Sequence, residues 1–318
     1  MSEKPDVAIV GTGLVGRAWA ITFARGGSRV RLYDATEGAA EKALGFIESV
    51  AADLAENELL AGQSPSDLLA RITPARDLAD VLDGAAYVQE SAPEKVEVKR
   101  ALFAELDAAA APETILASSS SAIRPSLFTE DLKGRARCLV VHPINPPYLI
   151  PAAEVVPAPW TAPETVERAR ALMLAIGQEP LVMKRELDGF IMNRMQGALL
   201  EEAFRLVASG ACTAEDVDIG IRSGLALRWS FMGPFETIDL NAPAGIREYV
   251  ERYQGMYRDM HPDMCVRVDW EGPVLDGIEA DRRERLPTDE LATRSLWRDR
   301  RLMALLRHKR AANDTIGS

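Results

Sequence analysis

The sequence of 318 residues predicts an α/β fold with a doubly wound, mostly parallel sheet, followed by an all-helical C-terminal domain. In residues 1–185, short runs of apolar and β-branched side chains alternate with stretches of helical period, which is typical of a parallel sheet with helices on both faces. From Asp188 onward only long helical patterns follow. We therefore divide the chain into domains 1–186 and 187–318.

Hydrophobic periodicity predicts the individual elements. Strands are predicted at Asp6–Val10, Arg29–Tyr33, Ala86–Glu90, Thr114–Ser118 and Arg137–His142, with weaker candidates near Ala152–Val156 and Pro180–Met183. A long crossover helix is predicted over Ala35–Leu60, where apolar residues recur every three or four positions. The C-terminal domain has helical patterns at Phe190–Ser209, Ala214–Ser223, Ala244–Met260 and Asp289–Arg310.

Composition limits the classes of function. The 37 basic and 48 acidic side chains give a net charge of −11, which argues against nucleic acid and anionic membranes as partners. We interpret the arginine-rich stretch near the C-terminus as a solvated helix face that buries Leu296, Met303 and Leu306. The three widely spaced cysteines predict neither a disulfide framework nor a metal site. Without a signal-peptide pattern or a long apolar run, we expect a cytoplasmic protein.

A glycine-rich segment directly follows the run Val7–Val10 and opens a predicted helix. Its first glycine allows a tight turn, its second lets the backbone approach a pyrophosphate, and its third lets the helix pack on the strand. Unpaired N–H groups at the helix start face the anion in such a motif. The segment therefore predicts a Rossmann-type dinucleotide-binding domain. The residues predicted to bind the cofactor here are Gly11, Gly13, Leu14, Val15 and Gly16.

An acidic residue ends the second predicted strand. Asp34 lies 18 residues past Gly16, close to the spacing expected of the carboxylate that binds the ribose diol of an adenosine. A carboxylate there repels a 2′-phosphate, and the two residues that follow offer no cation. We therefore predict NAD rather than NADP as the cofactor, with Arg31 as a weak counter-indication.

One of the three histidines lies where a ligand is expected. His142 ends the apolar run Cys138–Val141, at the sheet edge where open α/β sheets bind their ligands. An enzyme that oxidises an alcohol with a nicotinamide needs a base for the hydroxyl proton, and histidine commonly fills that role. Glu154 lies 12 residues further on, where a return strand would bring its carboxylate to the imidazole. The sequence thus predicts a His142 and Glu154 pair.

Six ordered motifs together resemble the L-3-hydroxyacyl-CoA dehydrogenase superfamily, and more narrowly its lambda-crystallin, or L-gulonate 3-dehydrogenase, branch. They are the loop Gly11–Gly16, Glu90–Glu94 with Lys99, Ser118–Ser121, His142–Pro147, Asp188–Arg194 and Gly233–Glu236. His142–Pro147 together with Arg228–Pro234 resembles the narrower branch. The resemblance covers nearly the whole chain and is least clear from Arg267 to Arg285.

The resemblance implies roles for single residues and an assembly. His142 would be the general base and Glu154 its partner, while Ser121 and Asn193 would hydrogen-bond the reacting oxygen of the substrate. The alternatives are that Asn193 caps the start of its own helix, and that Ser119 or Ser120 takes the role of Ser121.

The resemblance also implies that Glu94 and Lys99 join Asp34 at the cofactor, and that the helical domain forms a homodimer.

The superfamily includes enzymes for CoA thioesters and for small free hydroxy acids. The resemblance places CoA-binding residues after the second strand, but Ala35–Leu68 holds a single lysine against seven carboxylates. Such a surface repels the phosphates of CoA, so we expect a free acid whose carboxylate pairs with Arg228. Arg228 followed by Trp229 also resembles carnitine dehydrogenases, where the indole would face a quaternary ammonium. A surface salt bridge for Arg228, a CoA substrate and a non-catalytic crystallin-like protein remain the alternatives.

Overall fold

The computed structural model describes residues 4–317. Two compact units share the chain: the first holds the chain up to Asn193 together with Asp299–Arg307, and the second holds Arg194–Arg298 and the residues from His308 onward. These units do not coincide with the expected domains 1–186 and 187–318, which stay a prediction.

Eight strands form one sheet in the first unit. They are β1 (Val7–Val10), β2 (Val30–Tyr33), β3 (Ile72–Pro74), β4 (Tyr87–Glu90), β5 (Ile115–Ser118), β6 (Cys138–Pro143), β7 (Ala152–Pro157) and β8 (Glu179–Val182). Their order is β3-β2-β1-β4-β5-β6-β7-β8, and all neighbours pair parallel except β6 and β7. The sequence therefore predicted the fold class correctly, as a doubly wound and mostly parallel sheet followed by helices.

Helices connect the strands and continue to the C-terminus. They are α1 (Leu14–Arg25), α2 (Ala39–Glu56), α3 (Pro65–Leu69), α4 (Leu78–Leu82), α5 (Val96–Ala109), α6 (Ser126–Thr129), α7 (Pro163–Ala175), α8 (Met192–Ala208), α9 (Ala214–Ile219), α10 (Ala226–Trp229), α11 (Pro234–Asp239), α12 (Ile246–Met264), α13 (Pro273–Arg285) and α14 (Leu291–Ile316). Within residues 4–317, no helix combines the length and the apolar character needed to cross a bilayer.

The alternation of side chains along each strand divides the core between the two faces of the sheet. Val7 and Ile9 of β1 belong to a cluster with residues of α1, α2 and α7, whereas Ala8 and Val10 belong to a second cluster with residues of α4, α5 and α6. Both faces of β1 are therefore buried, as is typical of a parallel sheet covered on both sides.

Three of the differences from expectation have identifiable reasons. β3 was not predicted, because it has only three residues and one is a proline. α13 was not predicted either, since its sequence is rich in charge and poor in apolar period. The helix expected over Ala214–Ser223 continues as a π-helical turn at Gly220–Leu225, where two glycines weaken the α-helical geometry.

A segment of the C-terminal helix, Asp299–Arg307, belongs to the first unit. Met303 of α14 is 1% exposed and joins the core cluster of α1 and α2, with Leu306 packed against it. Arg300 pairs with Asp53 of α2 at 2.9 Å. Leu296, which we expected to be buried with them, is 50% exposed because it precedes the segment Asp299–Arg307.

Candidate active site

The strand ends bring the predicted site residues to one edge of the sheet. The carboxyl ends of β1, β2, β4, β5 and β6 share this edge because these strands run parallel. β7 runs antiparallel to β6, so its first residues lie at the same edge, with Glu154 opposite His142. The strand order reverses between β1 and β4, which is where open α/β sheets bind dinucleotides.

The three glycines after β1 meet three different constraints. Gly11 has a φ of +92°, and a Cβ there would lie 2.7 Å from the backbone of Ser91. A Cβ on Gly16 would lie 1.8 Å from the carbonyl oxygen of Gly11. Gly13, by contrast, has no atom of a residue other than its immediate chain neighbours within 4 Å of the Cβ position. Protein neighbours therefore require the outer two glycines, while the middle one borders open space that suits the close approach of a pyrophosphate.

The start of α1 leaves hydrogen-bond donors uncommitted. The first bond inside the helix runs from the Arg17 N–H to the carbonyl oxygen of Gly13, so the N–H groups of Leu14, Val15 and Gly16 have no partner inside the helix. Three such donors at a helix N-terminus suit a phosphate group. The residues present therefore fit the pyrophosphate of a dinucleotide.

Asp34 is held beside this loop. Its Oδ2 accepts hydrogen bonds from the backbone N–H and the hydroxyl of Thr12, at 2.7 and 3.1 Å, and its Oδ1 accepts one from the Thr36 N–H. Burial opposes ionisation, but these bonds together hold the pKa of Asp34 below its usual range. The carboxylate therefore stays charged, and it lies where a ribose diol is expected.

Arg31, the weak counter-indication to NAD, is committed elsewhere. Its guanidinium donates to the carbonyl oxygens of Asp80 and Asp83. It is therefore not a free cation for a 2′-phosphate.

Glu94 organises the serine-rich loop after β5. Its Oε1 accepts hydrogen bonds from the Ser120 hydroxyl at 2.5 Å and from the Ser121 and Ala122 N–H groups at 3.0 and 3.1 Å. Burial opposes ionisation of Glu94, but these bonds and the charge of Lys99 hold its pKa below the usual range. Glu94 thus fixes the backbone that carries Ser121, and its predicted contact with the cofactor stays a prediction.

Lys99 lies in a buried ion pair. Its Nζ is 3.0 Å from Oε2 of Glu90, and both side chains are almost fully buried. Ser118 donates to the same Oε2 at 2.5 Å, and the Ala92 N–H donates to Oε1 at 2.6 Å. Lys99 also lies 3.8 Å from Glu94, so it supports the loop residues, while direct contact with a cofactor stays a prediction.

His142 and Glu154 form a buried hydrogen-bonded pair. Nδ1 of the imidazole lies 2.6 Å from Oε2 of the carboxylate, and their residues are 6% and 0% exposed. A carboxylate only accepts hydrogen bonds, so Nδ1 carries the proton, and in the neutral ring the lone pair is on Nε2. No described residue hydrogen-bonds to Nε2. The imidazole can therefore accept a proton from a ligand.

Glu154 is held by more than the histidine. Its Oε1 accepts hydrogen bonds from the Ile191 and Met192 N–H groups, at 2.6 and 2.9 Å, at the start of α8. Burial favours the neutral acid, but the bonds from His142 and these two N–H groups hold the pKa of Glu154 below its usual range. Phe190, just before them, has a φ of +49° and contacts the imidazole at a centroid distance of 5.8 Å.

Ser121 and Asn193 meet at the same edge. Nδ2 of Asn193 donates to the carbonyl oxygen of Ser121 at 2.6 Å. The hydroxyls of Ser118, Ser119 and Ser120 are all engaged, with Glu90, Gln89 and Glu94 respectively. Among the four serines, only the Ser121 hydroxyl has no hydrogen-bond partner in the described part of the chain. It is therefore the serine best placed to serve a ligand.

Arg228 belongs to the second unit. It lies exposed on α10, and its Nη1 is 3.4 Å from Oδ1 of Asn241. The predicted pairing of Arg228 with a substrate carboxylate stays a prediction.

Sequence reasoning missed the buried polar network below the loops. Gln89 accepts from Tyr87 at 2.7 Å and donates to the Ser119 hydroxyl and the Val141 carbonyl oxygen, while Glu90 binds Lys99. A signal existed: adjacent glutamine and glutamate side chains end an otherwise apolar strand, and buried polar groups need partners.

Comparison with known proteins gives matches along almost the whole chain. Lambda-crystallin of Oryctolagus cuniculus is 40% identical over 309 residues, covering 96% of each chain. An L-carnitine dehydrogenase of a Pseudomonas species is 34% identical, covering 94% of this chain and 92% of its own. A solved structure of 5-formyl-3-hydroxy-2-methylpyridine 4-carboxylic acid 5-dehydrogenase, an NAD⁺-dependent dismutase, superposes with a TM-score of 0.82 at 27% identity, covering 96% and 98% of the two chains.

Family models match both parts of the chain. Residues 6–186 match the NAD binding domain of 3-hydroxyacyl-CoA dehydrogenase, and residues 189–270 match its C-terminal domain. The predicted cofactor, NAD, and the predicted class, an oxidoreductase, are confirmed. The chain belongs to the 3-hydroxyacyl-CoA dehydrogenase family, and within it is related to the lambda-crystallins.

Proposed function

We propose that the protein is an NAD-dependent L-3-hydroxy acid dehydrogenase that oxidises the 3-hydroxyl of a small free acid, with L-gulonate as the leading substrate. The observation that carries the chemistry is the buried His142 and Glu154 pair, 2.6 Å apart at the same edge of the sheet as the dinucleotide loop. The paired carboxylate fixes the tautomer that leaves Nε2 as a base.

The reaction removes a hydride and a proton from the alcohol. Held by the loop Gly11–Gly16 and by Asp34, NAD would supply the hydride acceptor for this oxidation. His142 takes the hydroxyl proton at Nε2, and Glu154 stabilises the imidazolium that results, because its own pKa is held low and it remains charged. Ser121 and Asn193 hydrogen-bond the oxygen as it becomes a carbonyl, with Ser121 fixed by Glu94 on one side and Asn193 on the other.

The cofactor is held by the loop and two carboxylates. Gly11, Gly13, Leu14, Val15 and Gly16 form the pyrophosphate site, and Asp34 binds the adenosine ribose. Glu94 and Lys99 complete the site, the lysine acting through Glu90 and Glu94, between which its ammonium lies.

A free acid is favoured over a CoA thioester by the charge of the segment after β2. The segment Ala35–Leu68 contains seven carboxylates and one lysine. Two arginines of α14 pair with Asp53 at 2.9 Å and with Glu58 at 3.5 Å. Those arginines neutralise only two of the seven carboxylates, and the other five keep the surface negatively charged. The surface therefore repels the phosphates of CoA. Arg228 would pair with the substrate carboxylate, while Trp229, 41% exposed, supports L-carnitine as the second candidate.

The three free cysteines support the cytoplasm as the compartment, since unpaired thiols are typical of reducing surroundings. The net charge of −11 argues against nucleic acid and membrane partners.

Removing the base should abolish most of the turnover. His142→Gln should lower kcat by at least about a hundredfold and leave NADH affinity near that of the wild type, because the imidazole acts only on the substrate proton. Glu154→Gln should have a smaller effect of the same kind. Stopped-flow rates and NADH fluorescence titration measure the two quantities. Unchanged kcat in the histidine variant would remove it from the mechanism, and a non-catalytic crystallin-like protein would bind NADH without turnover.

NAD should be strongly preferred over NADP, because the Asp34 carboxylate accepts hydrogen bonds from a diol and repels a phosphate. The pKa of Asp34 is lowered, so its charge is present above that value and is lost only as the pH falls through it. The preference should therefore persist as the pH is lowered from about 8 to about 5. The ratio of kcat/KM for NAD to kcat/KM for NADP, measured across this pH range, checks this. Asp34→Asn should lower that ratio. Equal values in the wild type would contradict the role of Asp34.

Small free L-3-hydroxy acids should be better substrates than 3-hydroxyacyl-CoA thioesters in an NAD-reduction screen that includes L-gulonate, L-carnitine and 3-hydroxybutyrate. Arg228→Met should lower kcat/KM for the free acid by at least about tenfold, since a bidentate pair is lost, and Arg228→Lys should also lower it, since a planar fork becomes a point charge. NADH affinity should not change. The control is Arg222→Met, which removes an exposed arginine paired with Glu215 in the same unit. Faster turnover of acetoacetyl-CoA than of any free acid would favour the CoA alternative.

The second unit should pair with a second copy of the chain. Of its described residues only Thr237 and Ala242 are buried, while Phe231, Phe235 and Leu240 are 68%, 75% and 68% exposed. Exposed apolar surface of this extent is typical of a protein–protein interface, and a homodimer would bury it. Sedimentation at micromolar concentration should give twice the chain mass of 34.7 kDa. A particle of one chain mass would exclude the homodimer.

A further inference from the structure

Arg17 is an unpartnered cation next to the dinucleotide loop. Its guanidinium makes no hydrogen bond or ion pair with any residue in the described range 4–317, and its Nε is buried without a partner. The one directed contact of the group is with the ring of Phe46 on α2, 3.6 Å from the ring centroid. The side chain is half-buried, so water reaches only part of it.

This arrangement is unlike that of the other arginines buried or half-buried in the first unit. Arg25, Arg31, Arg71 and Arg137 each donate at least two hydrogen bonds to protein oxygens. Arg124 forms an ion pair with Asp188 at 2.9 Å, so Arg124 and Arg137, whose Nε atoms also lack a hydrogen bond, still have a carboxylate partner. Burial lowers the pKa of Arg17, and only the fields of Tyr148 and Asp299 oppose that effect. A buried donor without an acceptor costs free energy, so its presence calls for an explanation.

The position of Arg17 suggests the explanation. The residue follows Gly16, the last glycine of the dinucleotide loop, on α1. Tyr148, one of its electrostatic neighbours, lies in the loop between β6, which carries His142, and β7, and its hydroxyl donates to Asp299 at 3.3 Å. Arg17 therefore lies where the segment that follows the cofactor loop approaches the segment that follows the catalytic histidine.

We propose that Arg17 binds an anionic group of a ligand, either the carboxylate of the hydroxy acid or a phosphate of the dinucleotide. The ring of Phe46 covers one face of the guanidinium and leaves its edge of N–H donors for a planar, two-oxygen acceptor. The carboxylate source rests on the proposed function, whereas the phosphate source rests only on NAD binding. Arg17 would then be a second specificity residue, in addition to Arg228.

Binding measurements on the full chain distinguish the two sources. The Kd of NADH is measured by fluorescence titration, and the Kd values of acetoacetate and of its uncharged methyl ester are measured on the complex with NADH. If Arg17 binds the substrate, Arg17→Met should weaken acetoacetate by at least about tenfold and leave the ester unchanged. If Arg17 binds the dinucleotide, the same variant should weaken NADH by a similar factor.

Controls separate a binding role from a structural one. Arg135→Met removes another ring-stacked arginine of the first unit, 5.0 Å from the ring of Trp160, and should change none of the three affinities. Arg17→Lys keeps the charge without the fork and should give intermediate values, and it replaces the methionine variant if that one does not fold. Wild-type affinities for NADH and acetoacetate in a well-folded Arg17 variant would overturn the proposal. Absence of turnover with free acids in the wild type would instead count against the proposed function. The Kd of NADH in Arg17→Met would still show whether Arg17 binds the dinucleotide.

Discussion

The carboxylate of Glu154 is the group on which the site depends. One oxygen binds the imidazole of His142 across two antiparallel strands, and the other accepts two N–H groups at the start of α8. Strand pairing alone would leave the imidazole free to turn about its side-chain bonds. The carboxylate removes that freedom and selects the tautomer at the same time. The single antiparallel strand in the run from β1 to β7 is what brings an acidic side chain to the edge where the parallel strands end.

A buried ion pair, between Glu90 and Lys99, fixes the conformation of the loops that follow β4 and β5. Glu90 and Lys99 neutralise each other below the loops that follow β4 and β5, and Ser118 and the Ala92 N–H use the remaining lone pairs. A buried ion pair contributes little net stability, but every polar group in this one has a defined partner, which fixes a geometry. Glu94 accepts a hydrogen bond from the Ser121 N–H and so fixes the backbone of that loop as well. The loop is therefore ordered before a ligand binds.

Much of this follows from the sequence, and the remainder has physical reasons. Seven of the eight strands could be predicted within about two residues because apolar runs between turns carry a strong signal. The pairing of His142 with Glu154 also followed from a strand that returns, and the geometry agrees with it. The bonds from Ile191 and Met192 to Glu154 could not be foreseen, because they depend on where a distant helix begins. The hydrogen bonds of Arg31 and the lack of hydrogen bonds at Arg17 could not be foreseen either, since both depend on residues far away in sequence.

The contribution of α14 to the first unit has a consequence for biosynthesis. Met303 fills a place in the core formed by α1 and α2, and Arg300 and Arg307 pair with carboxylates in and just after α2. On the ribosome, the sheet and its helices emerge long before this segment does. Until the nascent chain has been made past Arg307, that core lacks one of its buried side chains and exposes apolar surface that a chaperone can bind. The dinucleotide-binding unit is therefore completed only after Arg307 has been synthesised, although most of its residues are made much earlier.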